Sequence, residues 1–182
     1  MNKFDGWDTD LGNRSIDLDE LHSGGPGKDG IPSIDRPVYI SQEKAREWMA
    51  DREPVIAVNL NGIGRAYPLQ ILMWHEIVNT RFDDLPVSVT FCPLCYSALV
   101  FDRRIEGEVL EFGVSGFLRH SDLVMFDRST ESLWQQITGE AIVGTYTAEI
   151  LIFKNRMIQH VIRKKDRPVT KLDSQVDGED RP

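Results

Sequence analysis

The chain has 182 residues, of which 41% are hydrophobic and 27% charged, and its formal net charge is −8. This length suits one domain with tails and is sufficient to bury a core without disulfides. The acidic balance argues against nucleic acid as the main partner, because phosphate binding requires a basic face. No apolar run approaches the roughly 20 residues of a transmembrane helix, so we expect no transmembrane segment.

Residues 1–37 predict an extended N-terminal arm. The first ten residues are polar and acidic, so they predict no signal peptide and a cytoplasmic location. The later stretch "SGGPGKDGIPSIDRP" contains four glycines and three prolines, which disfavour regular structure. It has no Ser or Thr after its lysine, so it is not a nucleotide-binding phosphate loop.

Residues 38–145 predict a β-rich core domain. Ser41 is expected to cap a short helix that ends near residue 50. Asn61 and Gly62 separate two strand-like runs, which is a strong hairpin signal. Pro68 is expected to open a brief helical turn over residues 69–74.

Strand-like runs with short turns dominate the centre of the chain. In the run at residues 87–92, Val87, Val89 and Phe91 alternate with the residues of the opposite face. Further runs follow at residues 97–102, 109–114, 123–127 and 132–137. The connections are too short for parallel crossovers. We therefore predict a mainly β (α+β) fold, with an antiparallel sheet or partly closed barrel and two or three short helices.

Residues 146–182 predict a divergent C-terminal tail. Within "EILIFKNRMIQHVI", Ile150, Phe153, Met157 and Val161 recur at helical spacing and indicate a helix, although the β-branched residues argue against it. The charged sequence from Arg163 onward is expected to be frayed.

Both cysteines of the chain lie in "FCPLCYS", as Cys92 and Cys95. The segment after Cys95 predicts a strand, so the pair is expected in a strand-to-strand turn and not at a helix start, where a thioredoxin-like pair lies. Such a turn resembles the knuckle by which metal proteins direct two thiolates at one ion. A closed zinc site needs two further ligands, and the chain has no second CxxC.

His75 is the best candidate for an additional ligand, because it lies on a short element just before the cysteine strand. We predict that His75 points at the sulfurs of Cys92 and Cys95 and that the three residues bind a metal ion. Two thiolates and one imidazole suit copper, zinc or iron better than magnesium or calcium. The CPLC motif lacks the histidine that haem attachment requires after the second cysteine.

The sequence leaves three alternatives open. The cysteines can act as a thiol-redox or disulfide pair. The CxxC can be structural in a protein-interaction module, with the Gly-rich arm or the aromatic strands contacting a protein partner. In an enzyme, Cys92 or Cys95 can be a nucleophile with His75 as its base, and Asp122 is a further catalytic candidate.

Several segments together resemble domain-of-unknown-function family 3179, a bacterial and archaeal family. They include "EPVIAVNLNGIGRAYPLQILMWHEIVN", "PVSVTFCPLCYSALVFDR" and "FGVSGFLRHSDLVMFDRSTESLW". The resemblance runs from about Asn13 to Gly144, and the tail after Gly144 departs from it. It implies no activity, but it allows an exported or periplasmic location. The positions that match the family pattern are His75, Glu76, Cys92, Cys95, Ser121, Asp122, Asp127, Arg128, Trp134 and Gln136.

Overall fold

A computed structural model shows a mainly β protein and describes residues 3–50, 52–156, 159–161 and 171–173. Its strands pair antiparallel, and the described residues form no closed barrel. The strands are β1 (His22–Ser23), β2 (Val38–Ile40), β3 (Pro54–Leu60), β4 (Ile63–Pro68), β5 (Ile77–Phe82), β6 (Leu85–Cys92), β7 (Ser97–Asp102), β8 (Arg104–Ile105), β9 (Glu108–Val109), β10 (Phe112–Arg119), β11 (Asp122–Asp127), β12 (Leu133–Gln135), β13 (Ala141–Val143), β14 (Phe153–Arg156), β15 (Gln159–Val161) and β16 (Lys171–Asp173). The predicted mainly β fold with antiparallel pairing is confirmed.

Three short helical elements accompany the strands: a 3₁₀ turn (Leu18–Glu20), α1 (Gln42–Ala45) and α2 (Leu69–His75). The hydroxyl of Ser41 accepts a hydrogen bond of 3.4 Å from the backbone N–H of Lys44, so the predicted cap is present. The helix that Ser41 opens ends at Ala45, earlier than the sequence predicts. Within the described part of the chain, no helix is long and apolar enough to cross a membrane.

Three sheets form the body of the molecule. The central sheet has the strand order β14-β7-β6-β5, a second sheet has the order β1-β10-β11-β12-β13, and a third has the order β15-β3-β4. The β3–β4 hairpin turns at Asn61 and Gly62, whose φ angles are +53° and +79°. Positive φ at both positions is the type I′ geometry that the Asn-Gly pair predicts.

Alternation along β6 divides its side chains between two cores. Val87, Val89 and Phe91 pack with α2 and the β3–β4 hairpin. Cys92 lies in the other core, between the central sheet and the β10–β11–β12 strands. The predicted alternation of this strand is therefore confirmed, and it directs Cys92 toward β11.

The N-terminal arm covers the outer face of the sheet that contains β10 and β11. Phe4 and Leu21 are buried there with Phe117 and Phe126. The ring of Trp7 lies 5.5 Å from that of Phe117 and 5.3 Å from that of Phe126. Side chains of the arm thus share a hydrophobic core with the strands. The division of the chain at residues 37 and 145 stays a prediction.

The helix predicted in the C-terminal tail is wrong. Phe153 to Arg156 form β14, which pairs with β7, and β15 pairs with β3. The ring of Phe153 lies 4.9 Å from that of Phe101. Pairing with strands from earlier in the chain outweighs the local helical spacing, as the β-branched residues suggested. Met157 and most residues after Val161 lie outside the described residues.

The buried amide of Asn79 joins separate parts of the fold. Its Nδ2 donates hydrogen bonds of 2.7 Å to Asp35 Oδ1 and to the carbonyl oxygen of Phe112. Its Oδ1 accepts from the backbone N–H of Phe112 at 3.2 Å and from the hydroxyl of Ser88 at 3.3 Å. The asparagine that follows "HEIV" therefore links β5, β6, β10 and the arm.

The Gly-rich part of the arm lies directly on β10 at Gly116. This residue has a φ of +78°, and a Cβ atom there would collide with the carbonyl oxygen of Pro26. Its own carbonyl oxygen accepts a hydrogen bond of 2.7 Å from the backbone N–H of Gly24. The glycine is required because of both the backbone conformation and the close approach of two main chains.

We expect the substitution Gly116→Ala to lower the free energy of unfolding by at least about 2 kcal/mol, because left-handed backbone strain adds to the collision with Pro26. Gly64→Ala is the matched control, since nothing lies within 4 Å of a Cβ atom added there. Urea denaturation of both variants measures the difference. Equal unfolding midpoints would contradict the packing of the arm on β10.

Candidate metal centre

The two cysteines lie at the hairpin between β6 and β7. The pairing of Cys92 with Ser97 closes a loop of residues 93–96, and Tyr96 at its end has a φ of +54°. Cys92 is the last residue of β6 and is buried, whereas Cys95 lies in the loop and is exposed. The predicted strand-to-strand turn is confirmed, and both cysteines are free thiols.

Asp122 reaches the cysteines from the hairpin between β10 and β11. His120 and Ser121 form its turn with φ angles of +52° and +63°, and Arg119 pairs with Asp122 across it. Asp122 is therefore the first residue of β11, and it is buried. The turn also brings the carbonyl oxygen of Ser121 to 3.8 Å from the sulfur of Cys92.

The two sulfurs and a carboxylate oxygen of Asp122 all lie within 4.8 Å of one another. The thiol of Cys95 donates a hydrogen bond of 3.3 Å to Asp122 Oδ1. Zinc bonds to sulfur and oxygen are about 2.0 to 2.3 Å long, so ligands of one ion lie up to roughly 4 Å apart. The three donors need only small side-chain movements to meet that requirement.

His75 is not part of this group. It ends α2, and its Nδ1 lies 2.8 Å from the carbonyl oxygen of Pro32. A carbonyl oxygen only accepts, so Nδ1 carries the proton of this hydrogen bond. Neither ring nitrogen lies within 4.8 Å of all three donors of the group. The geometry brings Asp122 to Cys92 and Cys95, where the sequence predicted His75.

Glu76 follows in an unusual backbone conformation, with φ +56° and ψ −35°. Its carbonyl oxygen accepts a hydrogen bond of 2.7 Å from the backbone N–H of Phe91, which ties the end of α2 to the cysteine strand. Burial raises the pKa of its carboxyl group to about 7. Glu76 is not a member of the Cys92–Cys95–Asp122 group.

Hydrogen bonds orient the carboxylate of Asp122. Its Oδ2 accepts from the side-chain amide of Gln135 and, at 2.9 Å, from the backbone N–H of Ile137. Arg119 donates to the amide oxygen of Gln135 at 3.3 Å and to Glu20 Oε2 at 2.7 and 2.9 Å. With Oδ2 held on one side, Oδ1 is presented to Cys95.

A second chain of polar side chains supports Cys95. Its sulfur lies 3.0 Å from the hydroxyl oxygen of Ser97. Ser97 donates to the amide oxygen of Gln136 at 2.8 Å, and Gln136 donates to the hydroxyl of Thr90 at 3.0 Å. Gln136 and Thr90 are fully buried, so the position of Ser97 is held by a rigid neighbourhood.

Burial raises the pKa of the Cys92 thiol to about 12. Backbone N–H groups of Cys95 and Leu123 lower this pKa, whereas a hydrogen bond with the Cys95 side chain that favours the protonated Cys92 thiol raises it further. Cys92 is therefore a neutral thiol at pH 7 in the metal-free protein. Reactive redox cysteines have the opposite property, because nearby cations or helix N-termini lower the pKa of the attacking thiol.

Other residues that match the family pattern serve the fold. Asp127 accepts hydrogen bonds from Trp134 Nε1 at 3.0 Å and from the backbone N–H of Thr130 at 2.8 Å. Arg128 forms ion pairs with Asp29, with Glu111 at 3.3 Å and with Asp35 at 3.6 Å. Asp127 thus shapes the β11–β12 turn, and Arg128 fastens the arm to the second sheet.

The model of one protein family, described as "Protein of unknown function (DUF3179)", matches residues 28–161. The chain belongs to this family. The match includes Cys92, Cys95 and Asp122, and it extends beyond Gly144 to include β14 and β15. No curated protein and no solved structure matches the chain.

We expect iodoacetamide to modify Cys95 at least about tenfold faster than Cys92 in the native, metal-free protein at about pH 8. Cys95 is exposed, whereas Cys92 is buried and has a pKa of about 12. Fragment-ion mass spectrometry of the peptide that carries both residues measures the two rates. In urea the rates should converge, and equal rates in the native protein would contradict the geometry.

Proposed function

We propose that this protein binds one divalent metal ion through the thiolates of Cys92 and Cys95 and the carboxylate of Asp122. The observation that carries the proposal is the presence of these three donors within 4.8 Å of one another. The two hairpins that supply them are parts of the β framework, so the donors are brought together without the metal. Three protein ligands leave one position of a tetrahedral ion for a further ligand.

Zinc fits this donor set best among the metals that the sequence indicates. Zinc accepts sulfur and carboxylate oxygen in one tetrahedral site. Ferrous iron is the next choice, whereas cuprous copper prefers sites made entirely of soft donors and gains little from Asp122. Two thiolates also disfavour magnesium and calcium, which take oxygen ligands.

Hydrogen bonding around the donors supports a metal-binding role. Gln135 and the backbone N–H of Ile137 orient Asp122, and Ser97 lies against the sulfur of Cys95. Metal sites depend on such partners, because outer hydrogen bonds fix the orientation of the ligands.

Thiol redox chemistry is the second candidate, since the two free sulfurs lie close enough for modest movement to join them. The raised pKa of Cys92 argues against rapid exchange. The hairpin loop also lacks the helix start that activates a thioredoxin-like pair.

The alternative of a protein-interaction module is weakened in one respect, because the Gly-rich arm packs on the protein's own sheet.

Protein purified without oxygen should contain about one zinc ion per chain, and ligand variants should lose it. We expect Cys95→Ser to weaken zinc binding by at least about 100-fold and Asp122→Asn by about 10- to 100-fold. His75→Gln should leave the affinity unchanged, since His75 is not among the three donors. Elemental analysis and chelator competition measure these effects, and thermal unfolding of the metal-free variants checks that each one folds.

Two outcomes would contradict this assignment. Loss of zinc in His75→Gln with retention in Asp122→Asn would restore the Cys–His site that the sequence predicts. Absence of metal together with a quantitative Cys92–Cys95 disulfide in the oxidised protein would favour the redox role.

The zinc affinity should rise at least about tenfold per pH unit between about pH 6 and pH 8. The metal-free protein holds a proton on Cys92 in this range because its pKa is about 12, and the metal complex does not. Each released proton therefore makes binding stronger as the pH rises. Competition with a chromophoric chelator, corrected for the protonation of the chelator, measures the slope. A flat profile would show that Cys92 is not a ligand.

A further inference from the structure

Charge at the proposed centre limits what its open position can accept. Two thiolates and one carboxylate carry three negative charges, so a divalent ion that they bind leaves the centre one unit negative. The donors are Cys92, Cys95 and Asp122, and the described residues bring no further His, Cys, Asp or Glu ligand within 4.8 Å of all three.

The groups that contact the donors do not compensate this charge. Asp122 and Cys95 are contacted by the amide of Gln135, the backbone N–H of Ile137 and the hydroxyl of Ser97, all of them neutral. The guanidinium of Arg119 reaches only the far side of Gln135 and is paired with Glu20. No residue within two positions of a donor along the chain is Lys, Arg, Asp or Glu. An anionic ligand would therefore meet a negative centre whose hydrogen-bond partners, among the described residues, are neutral.

Exposed apolar residues adjoin the donors along the chain. Cys95 is the exposed donor, whereas Cys92 and Asp122 are buried, so an external ligand must approach from the side of Cys95. Leu94, between the two cysteines, is 65% exposed, and Ile137, whose N–H binds Asp122, is 52% exposed. Exposed aliphatic side chains of this kind offer contact area to a bound apolar group.

We propose that the open position binds a neutral nitrogen or sulfur donor on an apolar body, such as an imidazole or a thioether, in preference to an anion. This inference rests on the proposed metal site and adds the chemical class of its ligand. The neutral donor completes the tetrahedral set, and its apolar body lies against Leu94 and Ile137.

The charge of the proposed ligands also affects a water molecule bound at the open position. A zinc ion with neutral histidine ligands lowers the pKa of bound water to about 7 and so generates hydroxide. Two thiolates and a carboxylate supply more negative charge to the ion, so they would acidify a bound water less than three neutral imidazoles do.

Cobalt-substituted protein tests the proposal, because its visible absorption reports a change of ligand. Imidazole, 4-phenylimidazole and azide are titrated as probes. We expect 4-phenylimidazole to bind about tenfold tighter than imidazole, and azide to bind at least about tenfold weaker than imidazole. The double variant Leu94→Ala/Ile137→Ala should remove the advantage of 4-phenylimidazole over imidazole, and its cobalt content is measured alongside. Val109→Ala is the control, since Val109 is 47% exposed in β9, which pairs with β8 and carries no donor.

The outcomes separate this inference from the function on which it rests. If cobalt binds but azide binds as tightly as imidazole, or the phenyl group gives no advantage, the ligand class is wrong and the metal site stands. If cobalt binds and none of the probes alters the spectrum, the position is closed and the inference again fails alone. If neither cobalt nor zinc binds, the proposed function and the inference fail together.

Discussion

The alternation of side chains along β6 is the constraint on which the arrangement of the molecule depends. Successive residues of a strand point to opposite faces, so Val87, Val89 and Phe91 face one core and Cys92 faces the other. A shift of one residue in the pairing with β5 or β7 would move the buried polar side chains of Ser88 and Thr90 into the aliphatic core beside α2 and turn Cys92 away from β11. The register that satisfies both cores is therefore the register that presents the thiol to Asp122.

Much of the most distinctive sequence in this chain stabilises the fold. Asn79 joins two sheets and the arm through four hydrogen bonds, and Arg128 holds the arm by ion pairs. Gly116 allows the Gly-rich segment to lie directly on β10. The Gly-rich segment, which lacks the Ser or Thr of a nucleotide-binding phosphate loop, thus contributes contacts between distant segments.

Two neighbouring glutamines connect the fold to the candidate centre. Gln135 is the last residue of β12 and binds Asp122, whereas Gln136 binds Ser97, which lies against Cys95. Both glutamines are buried and neutral. They can orient the donors without changing the charge of the centre. The proposed metal and the proposed class of ligand rest on this arrangement and on the charge that the three ligands would carry.

The local sequence was sufficient to predict features that depend on neighbouring residues alone. Asn61 and Gly62 adopt the positive φ angles that a two-residue hairpin requires, so their turn could be predicted from the two residues alone. The alternation of β6 and the hairpin position of the CxxC pair follow from the same kind of local pattern.

The tertiary structure decided which acidic side chain lies beside the two cysteines. Asp122 lies 27 residues beyond Cys95, and its contact with the cysteines depends on how two separate hairpins pack together. His75 is nearer to Cys92 in sequence, but its ring hydrogen-bonds Pro32 in the arm. The strands of the C-terminal tail depend likewise on partners in β3 and β7. Periodicity and spacing report the local preferences of one segment. These contacts instead depend on how segments that are distant along the chain pair and bury each other.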